Sequence, residues 1–166
     1  MIKNRILLLS IGAVFILFCA GCPVGIAYPP GEPGSESIEK DIVGTWENDK
    51  SDGTILKVKI TKGEGESYEA EVLEKGEMYA LETMKLKGYV TKLEGFDLIY
   101  FIPEGEESYY TYEFRMDGKN RLITHDVSLK VGGVDAVTST EAFREELRAS
   151  MKFDDWLSEE QTYIRK

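Results

Sequence analysis

One histidine, two cysteines and a scatter of carboxylates are the raw material for chemistry in this 166-residue chain. His125 falls on the side of its segment shared by Ile123, Val127 and Leu129, and a zinc site would need further His or Cys ligands beside it. None is close: both cysteines, Cys19 and Cys22, stand near the amino end. An acid–base role would require a carboxylate brought in from elsewhere, because the neighbouring Asp126 points to the opposite face of an extended strand. Without such a partner His125 reads as a hydrogen-bonded histidine in or near a core. No Gly-x-Ser-x-Gly elbow occurs, and of Ser108, Ser128, Ser139, Ser150 and Ser158 only Ser128 stands near His125 in sequence, with no triad spacing around it, so nucleophilic hydrolysis has no visible machinery. Asn48 to Gly53 invites comparison with a calcium loop but puts Lys50 and Lys59 where carboxylates are required. Lys62-Gly63-Glu64-Gly65-Glu66 lacks the Gly-Lys-Ser/Thr ending of a phosphate loop. Glu104, Glu106 and Glu107, and the acids flanking Trp156, could hold a cation only weakly; solvated acids on an acidic surface account for them. These patterns predict a protein that is not an enzyme and that carries no cofactor and no specific metal.

The charge balance narrows the partners. With 30 acids against 20 bases the chain carries a net charge of −10, which argues against nucleic acid, whose phosphates are bound by excess Lys and Arg. The amino end is the exception to the acidity: Lys3 and Arg5 precede an apolar run from Ile6 to Phe18. That uncharged stretch is about 16 residues long before Pro23, short of the ~20 needed to span a bilayer, and it has the layout of a secretory signal. The tetrad Cys19-Ala20-Gly21-Cys22 that follows resembles the lipobox of bacterial lipoproteins. The resemblance implies cleavage before Cys22, acylation of Cys22 with palmitate-type chains, and a lipid anchor in the cell envelope. It places the body on the outer membrane or the cell surface, at a periplasmic or extracellular face. Residues 1–21 are then the signal, and 22–40 an acylated cysteine followed by a Pro/Gly/Ser-rich tether. Pro-rich and Gly/Ser stretches of this kind are extended spacers. Residues 41–166 form the folded domain.

That domain reads as strands. Leu56, Val58 and Ile60 alternate with lysines and Thr61, and Tyr68, Ala70 and Val72 alternate with Glu69 and Glu71, the period-two signature of a strand with one dry face. Tyr110, Tyr112, Phe114 and Met116 continue the pattern into an Asp117-Gly118 hairpin turn. Phe96 to Ile102 is apolar on both sides except at Asp97, which predicts a strand covered on both faces. Eight strands are expected, near 42–48, 54–61, 67–74, 83–91, 96–102, 108–116, 120–129 and 161–165. One helix interrupts them, with its N-cap at Thr138 and with Phe143, Leu147 and Met151 on one stripe. Such a narrow stripe suits a helix lying on a sheet or across one end of a barrel.

Eight short antiparallel strands close most easily into an up-and-down barrel, which leaves no edges exposed. Gly44-Thr45-Trp46 at the first strand and Tyr163-Ile164-Arg165 at the last make this span resemble the calycin group of lipocalins and fatty-acid-binding proteins. The resemblance implies that Trp46 closes the barrel floor behind Gly44 and that Arg165 stacks on its indole. A closer likeness is to uncharacterised bacterial lipoproteins with a lipocalin-like domain, on Ser139, Glu141, Phe143, Leu147, Tyr163 and Arg165; it implies no reaction. The nine tyrosines are the compositional excess. Inward-facing Tyr100, Tyr110, Tyr112 and Phe114 would either line an amphipathic pocket or fill a small barrel. The sequence therefore predicts a lipid-anchored, non-catalytic module binding a small apolar or amphipathic ligand. Its rival is a filled barrel engaging another envelope protein.

Overall fold

A computed structural model describes residues 25–37, 39–49, 55–75 and 82–166. Cys22 and the signal segment lie outside the described residues, as do positions 50–54 and 76–81. The alternating segments form eight strands: β1 (Gly44–Asp49), β2 (Ile55–Lys62), β3 (Tyr68–Lys75), β4 (Glu82–Leu93), β5 (Phe96–Pro103), β6 (Tyr110–Asp117), β7 (Arg121–Asp126) and β8 (Gln161–Arg165). Each is antiparallel to the next, and β8 returns beside β1 with Trp46 opposite Arg165, closing the barrel. Closure pairs the edges that an open sheet would expose. The architecture, with its single helix before the last strand, is consistent with a lipocalin-like fold. The turns follow local chemistry: β4 and β5 are joined by Glu94-Gly95 alone, both at positive φ, the conformation a two-residue hairpin needs to match strand twist.

Register assigns every side chain to a face. Val58 pairs with Trp46 on one side and Val72 on the other, and Ile99 with Val90 and Tyr112. These residues point inward, and with Ile42, Ile60, Tyr68, Ala70, Phe114 and Leu122 they form the barrel core. Gly88, opposite Phe101, leaves room for that ring: a Cβ there would lie 2.6 Å from Phe101 Cε1. The end of the barrel holding Gly44, the 63–67 turn and the 118–120 turn is called the floor, and the opposite end the mouth.

A second core lies outside the barrel. Leu93 and Leu98 face outward and pack with Phe143 and Leu147 of helix α1 (Thr140–Ser150), together with Val137 and Ile26. The helix therefore lies on the outer wall. It is capped by Ser139, whose side chain accepts from the Ala142 N–H, one residue later than expected. The doubly apolar Phe96–Ile102 run is explained, since β5 has the barrel core on one face and this outer layer on the other.

The stretch expected to be an extended spacer is packed against the barrel from Gly25 onward. Ile26 exchanges two backbone hydrogen bonds with Tyr109 (3.0 and 2.8 Å) at the mouth end of β6. Pro30 is fully buried, its carbonyl accepts from Arg144 at 2.7 Å, and the Gly31 carbonyl accepts from the Tyr100 hydroxyl. A Cβ on Gly31 would lie 2.6 Å from Thr91 Oγ1, so only glycine allows this approach. Farther down, Glu36 accepts from Thr91 Oγ1 (2.6 Å) and the Lys92 N–H (3.1 Å). The arm thus runs down the outer wall from mouth to floor. Its proline content lowers the entropy lost on docking.

Candidate functional site

The floor is closed by the residues the family resemblance singles out. Trp46 is completely buried and donates from Nε1 to the Ile42 carbonyl at 2.8 Å. The Arg165 guanidinium carbon stands 4.2 Å from the Trp46 ring centroid, and its nitrogens donate to the carbonyls of Val43 (2.8 Å), Lys119 (2.8 Å) and Asp41. A Cβ on Gly44 would fall 2.4 Å from Arg165 Nη1. Glycine is required there because the guanidinium occupies the space. Tyr68 adds to the plug, its hydroxyl donating to the Glu39 carbonyl at 3.2 Å. Every polar atom in this group has a partner, so the floor is a structural closure with nothing aimed at a ligand.

The mouth is different. Inward-facing residues in the floor half, Trp46, Ile60, Tyr68 and Ala70, are buried, whereas Val58, Val72, Leu86, Phe101, Tyr110, Tyr112 and Tyr163 are only partly so, and Met84 is 51% exposed. Inward-facing side chains on β2 to β4 are more exposed toward the mouth, whereas Asn48 and Pro103 near the mouth are buried and Met116 near the floor is partly exposed. Among the described residues, this half combines apolar walls with polar tips. Burial pushes the Tyr112 hydroxyl well above the usual tyrosine range, with the nearby Asp126 carboxylate and the Tyr163 and Tyr110 hydroxyls adding to the effect. Burial likewise raises the Asp126 carboxyl, against the lowering effect of Ser158 and His125. Asn48 Nδ2 donates to Gln161 Oε1 at 3.2 Å across the β1–β8 seam. Near the mouth the inward face thus sets tyrosine hydroxyls and the Asp126 carboxyl beside apolar side chains.

The four aromatic residues proposed as pocket lining do not share one surface. Tyr110 and Tyr112 face the mouth interior. Phe114 is buried in the core below them. Tyr100 points the other way: it pairs with Thr111, its hydroxyl donates to the Gly31 carbonyl at 3.1 Å beneath the arm, and its ring packs on Tyr89 and Tyr109. It is therefore a wall residue, because β5 is apolar on both faces and the arm covers the outer one.

The carboxylate partner that His125 lacked in sequence is Glu113, directly opposite it across β6 and β7. Both point outward beneath the return segment that precedes β8. His125 Nδ1 lies 2.9 Å from the Ser158 carbonyl, which can only accept, so Nδ1 carries the hydrogen; Nε2 lies 3.9 Å from Glu113 Oε2. That carboxyl oxygen and Thr111 Oγ1 are buried without a hydrogen-bond partner. Burial raises the Glu113 carboxyl, against the lowering effect of His125 and Arg115. The Ser158 hydroxyl is engaged elsewhere, accepting from the Asp126 N–H at 2.8 Å. Among the described residues no serine hydroxyl is set on His125, and the pair sits under cover.

Two further features were not read from the sequence. Glu146, buried on α1, accepts with Oε1 from the backbone N–H groups of Val131 (3.0 Å), Gly132 (2.9 Å) and Gly133 (3.3 Å), pinning the loop before the helix. A groove of about 810 Å³ crosses β2 to β5 and is rimmed by the 103–106 loop. Its floor alternates in charge across the strands, with Lys59 opposite Glu71 and Glu71 opposite Lys85. Opposite charges facing each other offset one another. Among the described residues no group of three or more His, Cys, Asp or Glu side chains is placed to hold a metal ion. No family model, curated protein or solved structure matches the chain.

Proposed function

We propose that the chain is a bacterial envelope lipoprotein, anchored through an acylated Cys22, whose lipocalin-like barrel binds a small amphipathic ligand in its mouth without transforming it. One observation carries this reading: inward-facing Met84, Leu86, Phe101, Tyr110 and Tyr112 are only partly covered, and two of them end in hydroxyls. Apolar side chains left partly uncovered on an inward face forfeit packing that a ligand would supply. Tyrosines suit an amphiphile, offering a ring to the chain and a hydroxyl to the head group. The Ala20-Gly21-Cys22 motif supports the anchor.

The test is retention of a ligand by the protein released from membranes in mild detergent and weighed by native mass spectrometry, together with titration of the delipidated protein with a single-chain amphiphile such as lysophosphatidylcholine. Saturable binding that is weakened by Tyr112→Ala supports the reading. Absence of both a retained mass and a titratable site rejects it. The charge-alternating groove on β2 to β5 favours a second reading, a docking face for another envelope protein; there the binding lost on Lys59→Glu with Lys85→Glu would be to protein, with lipid binding unchanged.

A further inference from the structure

We infer that the mouth of the barrel, and not the floor, is held at the surface of the bilayer that carries the anchor, so that this bilayer is the partner of the mouth. The inference rests on acylation of Cys22 and adds an orientation to it. Gly25 is the first described residue, and it is already fixed: a Cβ there would lie 2.8 Å from Ser108 Cβ and 3.2 Å from the Tyr110 ring, at the mouth end of β6. Ile26 is bonded to Tyr109 in both directions. Cys22 stands three residues before Gly25. Three residues reach at most about 11 Å even when fully extended.

The opposite end cannot take that place while the arm is docked. From Tyr110 to Asp117 β6 runs the length of the wall, and at about 3.3 Å per residue the floor hairpin lies roughly 23 Å along the strand from the point of attachment. A free tether of the length from Cys22 to Asp41 would let any face of the barrel meet the membrane. A docked one selects the rim around Ser108 to Tyr110. The contacts that dock it run the whole length of the arm: the Ile26–Tyr109 bridge, Pro30 buried under Arg144, Gly31 on Thr91, and Glu36 on Lys92.

The chemistry of the rim fits a bilayer surface of low charge. Met84 and the partly buried Tyr109 and Tyr110 present apolar bodies, with hydroxyls at the tyrosine tips, the amphipathic combination favoured at the head-group level. Glu104, Glu106 and Glu107 beside them are exposed and repel an anionic surface within about a Debye length, 8 Å at physiological ionic strength. The mouth therefore approaches zwitterionic lipid more closely than anionic lipid, and added salt narrows the difference. A ligand taken from this bilayer enters the barrel without crossing water.

The experiment is energy transfer from a genetically encoded fluorescent amino acid, placed at Met84 on the mouth or at Lys119 on the floor, to a rhodamine head-group lipid. The full protein, purified from membranes, is reconstituted in phosphatidylcholine vesicles. Intact mass and vesicle flotation are measured first and report acylation separately. If the lipid is absent, the anchoring reading fails by itself, and orientation is read on a Cys19→Ser protein coupled through the Cys22 thiol to a maleimide lipid. In either preparation, transfer at least twofold greater from position 84 than from 119 supports the inference. Equal transfer, or greater transfer from 119, overturns it. Ile26→Asp with Gly31→Val, which frees the arm, should bring the two positions together; a difference that survives this release, with far-UV circular dichroism unchanged, also overturns it.

Discussion

Arg165→Ala, combined with Gly44→Ala in a double-mutant cycle, tests the floor closure most sharply. Arg165 donates to three carbonyls and stacks on Trp46. Two of the three bonds are at exposed positions, where water replaces a lost donor, so each is assigned about 0.5–1 kcal/mol, and the part-buried bond to Val43 about 1.5 kcal/mol. The stack contributes about 0.5–1 kcal/mol at such a half-exposed site. Arg165→Ala should therefore cost about 3–4.5 kcal/mol, or roughly 10–15 °C in Tm for a domain of this size. Gly44→Ala places a Cβ 2.4 Å from Arg165 Nη1, and displacing the guanidinium should cost about 2 kcal/mol of the same interactions. The two losses overlap. With Arg165 already removed, the space at Gly44 is empty and the second substitution should cost less than about 1 kcal/mol, a coupling typical of residues in contact. Urea unfolding of the four proteins measures the cycle. Additive losses, or an Arg165→Ala protein within about 0.5 kcal/mol of the parent, would refute the argument that one side chain holds the floor together.

Trp46→Ala removes the largest fully buried side chain and should cost about 3–5 kcal/mol by chemical denaturation; a loss below 1 kcal/mol would mean that the core does not depend on it. Glu146→Ala strips three backbone N–H groups of their acceptor, with an expected loss of about 2–4 kcal/mol and faster hydrogen exchange at Val131, Gly132 and Gly133; unchanged exchange there would contradict the contact. Glu113 is raised by burial and has an unpartnered oxygen, so its native form holds its proton to a higher pH than the unfolded chain does. Stability from this group is complete below the unfolded carboxyl pKa and falls as pH rises through the folded one. Glu113→Gln should accordingly be neutral to ~1 kcal/mol stabilising at pH 7 and should flatten the pH dependence above about 4.5; a loss of more than 1 kcal/mol at pH 7 would show that the carboxylate is needed. Tyr68, Tyr100 and Tyr112 are likewise raised by burial. Folded-state stability should then decline as pH rises above about 10, where unfolded tyrosines ionise and these do not, and spectrophotometric titration should show part of the tyrosine absorbance change only on alkaline unfolding.

Most strand positions were legible because apolar and polar residues alternate along them in the sequence, and alternation reports the fold directly. β5 is the exception that explains the error at Tyr100. With Leu98, Ile99, Tyr100, Phe101 and Ile102 all apolar or aromatic, period two carries no information about which side faces in, and only the arm and α1, distant in sequence, decide it. The docking of residues 25–37 was illegible for a related reason. Proline and glycine report local stiffness and freedom, whereas the seat of Gly31 on Thr91 depends on a fold that composition does not encode. His125 was assigned to its correct neighbours but not to Glu113, because the pairing depends on turn length. Counting outward from a 118–120 loop gives 117 with 121, 115 with 123 and 113 with 125, whereas a shorter turn at Asp117-Gly118 shifts every pair. Glu146 looked like one acid in a charged helix face. Its role appears only when three amides of a loop converge on it.

The central claim is that the mouth half of the barrel receives an amphiphile, and a competition between filling and binding tests it most directly. Val58, inward-facing, partly buried and paired with Trp46 across β1 and β2, is replaced by Trp to occupy the space an acyl chain would take, and binding of a fluorescent single-chain lipid is titrated on parent and variant. The account predicts saturable binding by the parent, at least tenfold weaker in Val58→Trp, with thermal stability equal to or above that of the parent because an unfilled end has been packed. Equal lipid affinity in the two proteins, or a Val58→Trp barrel destabilised as an already full core would be, would contradict it.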